Sequence, residues 1–427
     1  MRNGYTGNES EKLDVKVTKK SDKKNIIKLC IWIAIFIFVY YQIYVLVAYT
    51  LGKKDKQNMW LYNGINKIIT MIAPTNKETI EENTLKLAAL GDIYTSSNII
   101  KGSKSGTKYD FLDSYVQTKE ILSKYDIVLA SLNTPVAGSA VGYSTKTVYN
   151  APDELLQQIK SIGITTLATA GNNSMDKGEN GIKSTIKAIE TAEIKQVGLN
   201  LSKDRTKPYI IDKNNIKVAI LSYITTSETK VPEGKEYLIN TLTEENIKED
   251  MLYVKSQNVD YVISYLNIPN EDASRVNSDQ KNSVVMLFEN GVNVVLGTGS
   301  KIVQENSEEL FESSDGTKNH AYAIYCLGDF IGDMDSDDRK VSIAADVTFS
   351  KSITKDKNGN VIDKKTKSNM LANNPISFYT KVSSTYTTIN YPIDITLEAY
   401  NQDKIKLDAK DYKAMKLAQD NLKNTLK

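Results

Sequence analysis

Between residues 85 and 350 the chain repeats one local pattern: a short, almost wholly apolar run, a loop rich in Gly, Asn, Asp and Ser, then a stretch with helical spacing. The runs are short for helices and the patterns between them long for turns, so strands must alternate with helices. Residues 85–90 (LKLAAL) precede the amphipathic stretch 111–123, 127–133 (IVLASLN) precede the helix opened by Pro152, and 164–173 (ITTLATAGNN) precede the helix around 181–192. Residues 209–224 read as a hairpin turning at Lys213-Asn214-Asn215, followed by a helix over 244–256. Runs at 259–267, 292–299, 321–331 and 341–350, with a helix near 279–289, complete a second set. The expectation is one layered α/β domain over 85–350, with two sheets flanked by helices. Beyond it, 351–427 holds a turn at Asp356–Asn360, Tyr/Thr/Ile-rich strands and a Lys-rich helix, read as an end-cap or appendage.

The N-terminal part obeys different rules. No charge interrupts the 23 residues from Leu29 to Leu51, enough to cross a hydrocarbon core that needs about 20. A cleaved signal would have a shorter apolar part and small residues after it, whereas here Gly52-Lys53-Lys54 follows. A transmembrane helix over 29–51 is expected, with Tyr40, Tyr41, Tyr44 and Tyr49 in its second half suiting an aromatic belt or a protein contact. Residues 1–28 carry eight basic and four acidic side chains, so they read as a cytoplasmic tail with the folded domain outside the cell. Residues 52–84 read as a juxtamembrane stalk. The lipid bilayer is thus an expected partner. After residue 28 there are 46 basic and 48 acidic residues, a balance that argues against nucleic acid.

Composition narrows the chemistry. Two cysteines, Cys30 and Cys326, cannot build a disulfide framework. The single histidine, His320, nearly closes off imidazole-based catalysis and metal binding. Function in layered α/β folds gathers past the carboxyl ends of strands. The loops there are Gly91-Asp92, Ser131-Leu132-Asn133-Thr134-Pro135, Ala170 to Gly178, Gly297-Thr298-Gly299-Ser300-Lys301 and Leu327-Gly328-Asp329-Phe330. Each loop alone is equally a turn or a helix cap.

In order and spacing these loops resemble the CapA family of poly-γ-glutamate capsule synthesis, over roughly residues 87–350. The Gly-Asp after the first strand, an N-L-E-x-P-like segment at Ser131–Pro135, an A-N-N-H-S-x-D-x-G-like segment at Ala170–Gly178, an F-N-A-P-like Tyr149-Asn150-Ala151-Pro152 and an S-L-G-N-F-like Cys326–Phe330 carry the likeness. The resemblance implies a metallophosphatase-like fold and, in the family, carboxylate and imidazole ligands suited to paired metal ions. Here the glutamate position is Asn133, the A-N-N-H histidine is Asn173, the H-W-G histidine falls on Leu266, and the G-H-H-P-H histidines fall on Thr298, Gly299 and Lys301. Only Asp92 and Asn172 remain as residual ligand candidates. A Lys301 ammonium repels a cation, so no metal or other cofactor is expected.

Two further patterns weigh little. Asp329, Asp333, Asp335, Asp337 and Asp338 lack the EF-hand glycine and glutamate, and the Gly/Ser/Lys loop at 102–108 fails the phosphate-loop spacing. A tyrosine count of 25 against eight Phe fits glycan platforms or codon bias alike.

The reading is a non-catalytic, membrane-anchored CapA-like protein of capsule or envelope-polymer assembly. Its cleft is lined by Asp92, Asn133, Asn172, Asn173 and Lys301, and its expected partners are polymer-synthesis proteins and an anionic polymer or wall glycan. A hydrolase using Asp92, Asp176 or Asp329 with Mg²⁺ or Ca²⁺ is the second reading, and a cell-surface scaffold or receptor the third.

Overall fold

The computed structural model describes residue 28, residues 31–32 and 35–43, and residues 78–426 apart from 112–114, 146, 314–315, 317, 333, 357 and 363–366. The chain divides into Met1–Glu78 and Thr79–Lys427. In the first unit residues 35–43 are helical; the remainder of the span expected over 29–51, the tail before it and the stalk to residue 77 lie largely outside the described residues. No helix among the described residues is long and apolar enough to cross a membrane.

The second unit runs β1 (Thr79–Ile93), α1 (Ser97–Ser103), β2 (Lys104–Ser105), β3 (Lys108–Tyr109), α2 (Val116–Leu122), β4 (Ile127–Leu132), α3 (Glu154–Ser161), β5 (Thr166–Ala168), α4 (Gly178–Thr191) and β6 (Lys195–Val197). It continues with β7 (Tyr209–Lys213), β8 (Ile216–Ile224), α5 (Glu244–Ser256), β9 (Tyr261–Asn267), α6 (Ser278–Glu289), β10 (Val294–Thr298), β11 (Asn306–Glu312), β12 (Lys318–Ile324) and β13 (Asp329–Ile331). Last come β14 (Val341–Lys355), β15 (Lys367–Val382), β16 (Thr388–Pro392), α7 (Ile393–Asn401) and α8 (Ala409–Thr425).

Two mixed sheets result. The first has the order β16-β15-β14-β1-β4-β5-β6, with β13 also paired to β1, and the second β11-β12-β10-β9-β8-β7. Strand alternation sorts the side chains into layers. Leu85, Leu87, Ala89 and Leu129 face Val218, Ile220, Ile263, Val294 and Leu296 between the sheets. Their neighbours Ala88, Leu90, Val128 and Ala130 pack under the helices of the first sheet, with Leu155, Leu156 and Ile159 of α3. Ala219, Leu221, Val262 and Val295 do the same beneath α5 and α6. The layers are therefore helix, sheet, sheet, helix. This explains why the central strands read as continuous apolar runs: both of their faces are covered.

Local signals fix several elements. Asn214 and Asn215 both take positive φ (55° and 58°), the two-residue turn that suits a tight hairpin between β7 and β8. Asn277 and Gln280 form a reciprocal capping box that opens α6.

The structure departs from the expected boundaries in three places. The run 321–331 is not one strand: β12 ends in the second sheet and β13 belongs to the first, with Gly328 at φ +74° in the crossing. The boundary expected at Ser350 falls inside β14, and β15 and β16 extend the first sheet beyond it. Residues 79–84, assigned to the stalk from sequence, pair with the far end of β14. The C-terminal segment also places Ile393, Leu397, Met415 and Leu422 in the inter-sheet core. Its polar composition hides this, because only one face of each element is apolar.

Candidate functional site

The carboxyl ends of β1, β4, β9 and β10 meet the start of β13 in one place. Asp92 is the Cα partner of Ser131 on β4 and of Asp329 on β13, so two carboxylates stand in register on adjacent parallel strands. Both are buried, each about 1% exposed. Asp92 Oδ1 and Asp329 Oδ1 have no hydrogen-bond partner. Asp92 Oδ2 accepts from the Asn133 carboxamide at 3.4 Å, and Asp329 Oδ2 accepts from the Tyr94 hydroxyl at 3.0 Å.

Electrostatics follow from burial. Desolvation pushes Asp92 up to about 6, although the Ser131 hydroxyl, the Lys301 charge, the Gly299 backbone and Thr298 all favour its anion. Asp329 is raised well above the carboxylate range by the same desolvation and by the charge of Asp92, against Lys301, Tyr94 and Arg339. Burial also pushes the Cys326 thiol up to about 12, which makes it inert as a nucleophile.

A charged cap lies over the pair. Lys301, at φ +66°, ion-pairs with Glu271, and its Nζ sits 5.4 Å from the centre of the Tyr94 ring. Arg339 binds Asp272 with two bonds of 2.7 and 2.9 Å and reaches Asp335 at 3.3 Å. The side chains of Lys301 and Arg339 are only 13% and 10% exposed, so the cap is itself packed down.

The residues expected from sequence meet different fates. Asn133 belongs to the site, but its Oδ1 is taken by the Asn173 backbone N–H at 2.9 Å. Asn172 is buried, and its Oδ1 accepts from Glu228 N–H at 3.1 Å, tying down a loop. Asn173 contributes its backbone to Asn133, while Thr298 accepts from the Asn267 carboxamide at 2.9 Å. Leu266 is not at the cleft; it packs in the core beneath α5 and α6. The next residue, Asn267, occupies the site and keeps a buried Oδ1 without a partner. Asn267 was missed from sequence, although period-two alternation from Tyr265, an inter-sheet residue, places it on the same face. Tyr94, Glu271, Asp272 and Arg339 were also missed, since no sequence pattern links loops so far apart.

Asp176 stands apart from the pair, accepting from Tyr149 N–H at 2.8 Å and the Thr229 hydroxyl at 3.1 Å. His320, on β12, binds Glu308 of β11 at 2.8 Å and the Met370 carbonyl of β15 at 3.1 Å. Asp335 and Asp337 of the acidic run are engaged by Arg339 and Lys340, and Asp333 lies outside the described residues.

The paired metal ions implied by the resemblance do not fit this donor set. The carboxamide oxygens of Asn133 and Asn172 are committed to backbone N–H groups, a lysine faces both carboxylates, and the one imidazole is elsewhere. Among the described residues no group of three or more His, Cys, Asp and Glu is placed to hold a metal ion.

Two face-packed mixed sheets between helices, with polar loops converging past the parallel strand ends, define an α/β sandwich with its candidate site at the strand carboxyl ends. The chain belongs to the family described as bacterial capsule synthesis protein PGA_cap, whose model matches residues 86–334. No curated protein matches the chain. Among solved structures it is similar to a 5′-nucleotidase precursor from Thermus thermophilus, at 15% identity and TM-score 0.35, covering 68% of this chain and 54% of that one. It is also similar to a calcineurin-like phosphoesterase from Bacillus subtilis, at 12% identity and TM-score 0.40, covering 79% of this chain and 100% of that one. The chain thus spans about half the length of the nucleotidase.

Proposed function

We propose that this chain is a membrane-anchored, outward-facing member of the capsule-synthesis family that handles an envelope polymer without hydrolysing it. The sealed carboxylate pair carries the reading: Asp92 and Asp329 are buried under Tyr94, Lys301 and Arg339, so a polymer meets the covering residues and neither a scissile bond nor a pair of cations has a ready place at the carboxylates. Lys301 and the surrounding amides suit an anionic, amide-bearing chain such as poly-γ-glutamate, which they engage by charge and hydrogen bonds. The uncharged run 29–51 and the basic tail before it support a single-pass anchor with the α/β domain outside and polymer-synthesis proteins as partners.

The test joins metal analysis of the purified full chain, a phosphoester hydrolysis assay with Asp92→Ala as control, and binding to poly-γ-glutamate. Polymer binding, with metal well below one ion per chain and no hydrolysis sensitive to Asp92→Ala, supports the proposal. Two tightly held transition ions, or activity lost in the variant, would overturn it.

A hydrolase working with a hard ion has one observation in its favour, the partnerless Oδ1 atoms of Asp92 and Asp329. Activity that depends on added Mg²⁺ or Ca²⁺ and disappears in Asp329→Asn would select this reading.

A further inference from the structure

Glu271 lies across two packed cations. Its Oε1 ion-pairs with Lys301 Nζ, and its Oε2 is 3.7 Å from Nη2 of Arg339. The three side chains differ sharply in exposure: Glu271 is 46% exposed, against 13% for Lys301 and 10% for Arg339. The carboxylate can therefore swing into water, while packing keeps the cations in place, with the Lys301 ammonium over the Tyr94 ring. An ion pair with one partner so exposed is held weakly.

The next residue is fixed in a way that Glu271 is not. Asp272 grips the Arg339 guanidinium with two bonds of 2.7 and 2.9 Å, and its N–H donates to the Ser300 carbonyl at 3.0 Å. Arg339 also reaches Asp335 at 3.3 Å, so it keeps its partners when Glu271 departs. Lys301 does not, because Glu271 is its one ion-pair partner among the described residues. A glutamate side chain thus occupies the place where a carboxylate from outside would meet the ammonium.

We propose that Lys301 is a carboxylate subsite and that Glu271 is its tethered competitor, displaced when a carboxylate of an anionic polymer takes its position. The Arg339–Asp272 pair keeps the loop in place during the exchange. A polymer presents a carboxylate on every unit, so a unit that lets go is replaced by its neighbour, an advantage that a single side chain lacks. The inference rests on the polymer-binding reading of the cleft.

Isothermal titration of poly-γ-glutamate into the purified full chain, at one fixed ionic strength, tests it on wild type, Glu271→Gln, Lys301→Met and the double variant. Glu271→Gln keeps the shape and removes the competing charge, so affinity is expected to rise about tenfold. In the Lys301→Met background the same substitution is expected to change affinity by no more than about twofold, since no ammonium remains to be contested. Glu228→Gln, which removes a charge from the loop tied to Asn172, is likewise expected to change affinity by no more than about twofold. Affinity unchanged or weaker in Glu271→Gln, or a rise of equal size in Glu228→Gln or in the Lys301→Met background, overturns the inference and leaves the polymer reading standing. Absence of binding by wild type and every variant overturns both. Should Lys301→Met fail to fold by circular dichroism, the comparison of Glu271→Gln with Glu228→Gln decides.

Discussion

Asp92 and Asp329 are Cα partners across the parallel strands β1 and β13, and each follows a glycine, with Asp92 N–H donating to the Gly328 carbonyl at 3.2 Å. Two Gly-Asp pairs far apart in sequence thus form one buried unit. Its carboxylates stand where both cannot be cheaply ionised, because each desolvated anion raises the proton affinity of the other.

Stability should depend on pH through this pair. Asp92 is raised from an ordinary 3.8 to about 6, so the folded state holds a proton that the unfolded chain has already released over that window. Its stabilising contribution is complete below the unfolded value and is lost as pH climbs through about 6. Asp92→Asn should therefore gain on the order of 2–3 kcal/mol over wild type at pH 8 and little at pH 3.5. Urea unfolding at the two pH values checks this, and an equal effect at both would contradict it.

Gly91 is predicted to be irreplaceable. A Cβ there would lie 1.9 Å from the Gly328 carbonyl oxygen, a backbone atom that cannot swing aside. Gly91→Ala should cost about 3 kcal/mol or prevent folding, by the same logic as other overpacking substitutions. The denaturation midpoint is the readout, and an unshifted midpoint would disprove the close approach.

Arg205 anchors α5. Only 8% exposed, it binds Asp250 through bonds of 3.0 and 3.3 Å, and Asp250 also accepts from the Tyr223 hydroxyl at 2.6 Å. Arg205→Ala strands a buried carboxylate and should cost about 3–5 kcal/mol. Arg205→Ala combined with Asp250→Ala should recover part of that loss in the same unfolding assay, since no unpaired charge remains.

Lys301 is expected to dominate polymer affinity in the cleft. Lys301→Met keeps the aliphatic stem and removes the cation that faces Asp92 and Asp329. Poly-γ-glutamate binding should weaken about tenfold, as for loss of one charge-assisted bond, and should lose part of its salt dependence. Unchanged affinity would remove the cleft from the binding surface.

Much of the architecture was legible because it is local. Apolar runs fully covered on both faces, the paired asparagines at 214 and 215, and the Asn277–Gln280 cap each write their own structure over a few residues. The loops bearing Asp92, Asn133, Asn172 and Thr298 were identifiable for the same reason, since strand ends followed by turn residues are short-range signals. What the sequence could not decide was which loops touch, and which face of a strand each polar residue occupies. Leu266 and Asn267 differ by one position, and the pleat sends one into the helix-covered core and the other to the cleft. The crossing at Gly328 that brings Asp329 beside Asp92, and the folding-back of residues 367–426 onto the first sheet and the inter-sheet core, depend on pairings more than a hundred residues apart in the first case and on a shared core in the second. Sequence therefore set the elements and the chemistry available to them, while tertiary packing alone set which charges share a buried well, because burial and proximity are properties of the assembled layers.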